Sequence, residues 1–74
     1  MSSKNIELLK LGQKIKYRRK LANLSKRELA KLINLSVESL GRIEAGKADI
    51  KYTNLLKIVR VFGVNPTEFF KDNS

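Results

Sequence analysis

The run Lys26–Ala45, KRELAKLINLSVESLGRIEA, decides the fold. It reads as two short helices joined by a tight turn. Ala30 must be small, because the second helix crosses over it and a bulky side chain would push the two apart. Asn34 falls in the turn, where the backbone needs a positive φ; glycine tolerates that conformation best and asparagine next. Leu40 and Ile43 lie three apart, so they share one face of the second helix and bury it against the rest of the chain.

Working outward, the flanking sequence continues in helices. Leu8, Leu11, Ile15 and Ala22 keep the spacing of one apolar face and predict a first helix over Asn5 to Ala22. Asn23 closes it in the left-handed cap conformation that glycine more often supplies. Ser25, with Glu28 three residues on, has the pattern of a capping box for the second helix, whose buried side is expected to be Leu29, Leu32 and Ile33. Ser36 is the expected N-cap of the third helix and Gly46 its stop. A fourth helix is predicted from Tyr52 to Phe62, ended by Gly63. Asn65, Pro66 and Glu68 then open a short fifth helix carrying Phe69 and Phe70. No segment alternates as a strand would. The expected fold class is all-α, a five-helix domain.

A chain of 74 residues and 8.5 kDa is too short for a second core, so one domain over residues 1–74 is expected, with residues 1–4 and 72–74 flexible. Cysteine and histidine are both absent, which excludes disulfides, thiolate ligands and imidazole chemistry. With no paired carboxylates and no glycine-rich phosphate loop either, no acid–base or nucleophilic constellation can be drawn; the expectation is no enzyme, no metal and no cofactor. The apolar stretches are only a few residues long and no secretory pattern opens the chain, so a cytoplasmic protein with no membrane partner is expected. The net charge of +9 points to a polyanionic partner, and the charge is uneven. Lys10, Lys14, Lys16, Arg18, Arg19 and Lys20 crowd the first helix against a single acid, Glu7.

The run 26–45 resembles the helix-turn-helix of the phage-repressor and Cro-like (XRE-type) family, and the resemblance extends from about Leu11 to Phe70. LGQKIKYRRKLANLS matches the family's first helix. Glu44, Gly46 and Lys47 match its Glu-x-Gly-Lys ending to the third helix, and TNLLKIVRVFGVNPTEFF its fourth and fifth helices. The resemblance implies a compact phage-repressor-like domain whose third helix enters the DNA major groove. Val37, Glu38 and Arg42 then occupy positions where family members place base-reading side chains. Arg42 suits guanine O6 and N7, Val37 a thymine methyl, and Glu38 cytosine N4. Glu38 also has a plainer role available, supporting the helix dipole or pairing with Arg42 four residues on.

Ser25, Lys26 and Lys47 are the expected phosphate contacts. Lys26 departs from the family, which commonly has glutamine there; it exchanges a directional hydrogen bond for a point charge. Arg19 and Glu44 match a partly buried ion pair that joins the first helix to the end of the third, a scaffold role. Gly41, inside the third helix, leaves room either for DNA or for the second helix. Among the C-terminal aromatics Tyr52, Phe62, Phe69 and Phe70, most are expected in the core, with Phe70 and Val64 as candidates for a dimer interface.

The expected function is a sequence-specific regulator of transcription, a repressor or autoregulator, acting as a homodimer on a pseudo-palindromic operator in double-stranded DNA. No small-molecule ligand is expected, since one domain leaves no room for a sensing module; the layout resembles restriction–modification controllers and phage switches. The alternative is an antitoxin-like protein-interaction module on the same fold.

Overall fold

The computed structural model describes the backbone of residues 3–70 and the side chains of residues 6–69; residues 1–2 and 71–74 lie outside the described residues. Among these the chain forms α1 (Ser3–Leu21), α2 (Lys26–Leu32), α3 (Val37–Glu44), α4 (Tyr52–Phe62) and α5 (Pro66–Phe70), with no strand. This is the all-α architecture the sequence implies.

The ends of the first four helices follow one rule. Asn23, Asn34, Gly46 and Gly63 all adopt positive φ, at 59°, 60°, 76° and 68°. After each, the next amide donates to a carbonyl five residues back: Leu24 to Arg19, Leu35 to Ala30, Lys47 to Arg42 and Val64 to Val59. These left-handed stops satisfy carbonyls that would otherwise be orphaned and turn the chain sharply back on itself. The helix starts are equally explicit. Ser25 Oγ accepts from the Glu28 amide at 3.0 Å while Glu28 Oε1 accepts from the Ser25 amide at 2.8 Å, a complete capping box. Ser36 Oγ accepts from the Ser39 amide at 3.0 Å.

The core lies where α1, α2, α3 and α4 converge, with Ile15, Leu29, Ile33, Leu40 and Ile58 fully enclosed. Ala30 is buried beneath α3, as a crossing helix requires. At Gly12 the two backbones meet. A Cβ there would fall 2.4 Å from the Ile43 carbonyl oxygen and 2.6 Å from that of Glu44, so only glycine lets α1 reach the end of α3. Phe69 of α5 is buried and tilts against Phe62 with 6.3 Å between ring centroids.

Several expectations need correction. Helix α1 starts at Ser3, two residues before the expected Asn5. It ends at Leu21, and Ala22 is exposed, because Arg19 takes the inward position after Ile15 and the chain turns before another is reached. Leu32 is 58% exposed rather than buried. The inward face of α2 is set by Leu29, Ala30 and Ile33, and Leu32 points roughly a right angle away from its centre. Tyr52 is likewise 66% exposed and Phe62 only half-buried, leaving Phe69 as the enclosed aromatic. The side chain of Phe70, proposed for an interface, lies outside the described residues.

Candidate nucleic-acid interface

Helix α3 is divided lengthwise. Leu40, Ile43 and Glu44 face the core, while Val37, Glu38 and Arg42 are exposed and Gly41 half-exposed. The spacing in VESLGRIE dictates this split, since buried positions recur at three and four residues and the remainder fall on the outer face. The turn at Asn34 carries the chain out of α2 so that this outer face stands beside the start of α2. Lys26, Ser36, Glu38, Gly41 and Arg42 accordingly line one open depression of about 500 Å³. The fold thus brings together Lys26 from α2 with Glu38 and Arg42 from α3. Val37 stands at the opening turn of α3, 41% exposed, outside that lining.

No ion pair joins Glu38 to Arg42 among the described residues, so the plainer pairing available to Glu38 is not formed. Gly41 is also resolved. A Cβ there would meet nothing within 4 Å, so it gives no clearance to α2 and faces open space. Ser25 is occupied by its capping box, in which the Glu28 carboxylate sits over the first turn of α2. The Ser25 amide, and secondarily its hydroxyl, hold the Glu28 carboxyl below its ordinary value of 4.5. The Ser25 hydroxyl also accepts from the Glu28 amide in that box. Lys47 is exposed just past α3, its amide bonded to the Arg42 carbonyl at 2.9 Å.

Arg19 and Glu44 meet in the interior, each 6% exposed. Arg19 Nε donates to Glu44 Oε2 at 2.8 Å, Nη2 donates to Oε1 at 3.2 Å, and Nη1 donates to the Leu24 carbonyl at 2.8 Å. A rigid guanidinium fork therefore ties α1, the loop before α2 and the end of α3 into one frame. It fixes the angle at which the outer face of α3 is presented. Val64 is half-buried against the core.

Some residues of consequence carry no sign of their role in the sequence. Lys14 belongs to the basic run of α1, yet its Nζ donates to the Phe69 carbonyl at 2.8 Å and lies 5.8 Å from the centre of the Phe69 ring. It anchors α5. On the far side of α3 a second depression, of about 240 Å³, has a floor of Leu35, Ile43, Ala48 and Ile50 and a rim that includes Ser39, Arg42, Asp49, Lys51 and Asn54. Arg42 borders both depressions. Spacing along the chain carries no signal for this second rim, because the loop after Gly46 has no periodicity. Among the described residues there is no cluster of three or more potential metal ligands, and no helix is long and apolar enough to cross a membrane.

Two helices joined by a left-handed turn, the second exposing a polar face beside basic side chains, define a DNA-binding protein of the helix-turn-helix class. A helix-turn-helix family model matches residues 15–69, and the chain belongs to that family. A protein of Methanocaldococcus jannaschii, named an uncharacterized HTH-type transcriptional regulator, is 39% identical over 60 residues, which span 81% of this chain and 91% of the relative. The crystal structure of the restriction-modification controller protein C.AhdI from Aeromonas hydrophila superposes with a TM-score of 0.81 at 31% identity, covering 88% of this chain and 98% of that one.

Proposed function

We propose that this chain is a sequence-specific transcriptional regulator that binds double-stranded DNA as a homodimer on a pseudo-palindromic operator. The observation that carries the reading is the gathering of Lys26, Glu38 and Arg42 around one open depression on the outer face of α3. In this reading α3 enters the major groove. Arg42 donates to guanine, Val37 packs on a thymine methyl, and Glu38 accepts from a cytosine amino group. Lys26, the Ser25 hydroxyl and Lys47 hold backbone phosphates, which set register and carry most of the salt dependence. The net charge of +9 draws the protein to the duplex before any base is read.

One small domain presents a limited surface, so two half-sites are needed for affinity and selectivity. Pairing through α4 and α5, with Val64 and Phe70 at the contact, would place two α3 helices roughly 34 Å apart, one turn of DNA. Kinship with a controller protein favours control of the chain's own gene and its neighbours by concentration.

The test is selection of sites from a randomised duplex library, followed by competition with single-base variants. Arg42→Ala should cost about 1–3 kcal/mol of specific binding and relax choice at one base pair per half-site. An unchanged preference would refute base reading by Arg42. Sedimentation at micromolar concentration, free and with the selected site, reads the dimer independently.

A further inference from the structure

We infer that Asp49 is a positioning residue for Arg42, restraining its guanidinium so that it selects guanine; this rests on the base-reading role proposed above. Arg42 is exposed and its side chain has no hydrogen-bond or ion-pair partner among the described residues, so nothing in the free protein fixes that long side chain. Carboxylates flank it on both sides. Glu38 shares the depression toward α2, and Asp49 shares the one toward α4.

The two carboxylates are not equivalent. Glu38 stands on the outer face of α3, on a flexible stem. Asp49 is held in place, because its Oδ1 accepts from the Ile50 amide at 2.8 Å, leaving Oδ2 without a partner. Its loop is seated in turn by Ile50 and Ala48, both half-buried against the core. A short carboxylate fixed on the rim of a depression that Arg42 also lines is therefore the preorganised partner. When α3 enters the groove, Glu38 turns to the bases or is repelled by phosphates, and the guanidinium is left with Asp49. A guanidinium that gives one edge to a fixed carboxylate presents its other edge in a defined plane, as a two-bond contact to guanine requires. Asp49 also places negative charge beside the phosphates, which lowers affinity for any sequence. Its effect is thus selectivity gained at the expense of general binding.

Asp49→Asn tests this, because asparagine keeps an oxygen to accept from the Ile50 amide while losing the charge. The probes are the site selected from the randomised library, its single-base variants and random-sequence duplex, each titrated with the full chain. Asp49→Asn is expected to bind random duplex more tightly and to lose about twofold to fivefold in discrimination at the base pair read by Arg42, the scale of an exposed ion pair. In an Arg42→Ala background the same substitution should leave discrimination there unchanged. Retained discrimination in Asp49→Asn while Arg42→Ala loses it overturns the inference alone. So does an equal loss with and without Arg42. Retained discrimination in Arg42→Ala overturns base reading itself, and this inference with it. A thermal melt matching the parent shows that the fold is not the cause.

Discussion

Removing the carboxylate of Glu44 should cost this protein a large share of its stability, although Glu44 is one of 74 residues. Glu44 is 6% exposed and its carboxylate accepts from Arg19 at 2.8 and 3.2 Å. In Glu44→Ala the guanidinium stays buried with the Leu24 carbonyl alone as its acceptor. A buried charge stripped of its partner costs about 3–5 kcal/mol. Against this, a folded chain of 74 residues has a total stability of about 4–11 kcal/mol at typical values per residue. The urea midpoint should therefore fall by at least about a quarter, and by all of it at the lower end of that stability range, with little change in slope. The paired replacement Arg19→Met with Glu44→Leu should recover most of the loss, since neither charge is then buried. Equilibrium urea unfolding followed by circular dichroism measures all three chains. A loss below about 1 kcal/mol in Glu44→Ala, the range of an exposed pair, would refute the reasoning. A double variant as unstable as Glu44→Ala would refute it equally.

The two glycines of α1 and α3 should behave oppositely. Gly41→Ala should stabilise the fold by roughly 1 kcal/mol, because a Cβ there meets nothing and alanine favours the helix, whereas Gly12→Ala should destabilise strongly by driving a methyl into the α3 carbonyls; thermal melts separate them. Glu28 predicts an acid dependence. Its folded carboxyl lies below the ordinary 4.5, so its contribution is present above that value and lost as pH falls through the lowered one. Glu28→Gln should therefore flatten the stability–pH curve in the acid range, and a curve as steep as the parent's would count against the capping box. Lys14→Met should loosen α5 by removing the bond to the Phe69 carbonyl, raising amide exchange in residues 67–70 while α2 and α3 keep their protection.

The helix ends were legible because their chemistry is local. Asn23, Asn34, Gly46 and Gly63 declare a left-handed residue by type, and Ser25 with Glu28 declares a helix start by spacing. The face of α3 was legible for a similar reason, since eight residues with three inward positions leave little ambiguity. Leu32 and Ala22 misled because hydrophobicity says that a side chain favours burial, not that its angle on the helix permits it. Tyr52 misled because an aromatic at the first turn of α4 can stay outside when the core is already filled by Leu55, Ile58 and Val59. Lys14 and Asp49 were invisible, because each acts on a residue or rim brought near only by the fold, and neither lies in a patterned segment that names its partner.

The lengthwise division of α3 bears on how such a protein diverges. Leu40, Ile43 and Glu44 are answerable to the core, and change at any of them endangers the whole domain. Val37, Glu38 and Arg42 answer only to whatever lies outside. In the proposed mode of binding, one copy of a duplicated gene can therefore exchange its outward residues and acquire a new target while its interior is untouched. Two such copies would share a folding pathway and a shape, yet govern different genes without interfering. In that mode a handful of codons on one side of a two-turn helix is enough to rewire a regulatory circuit.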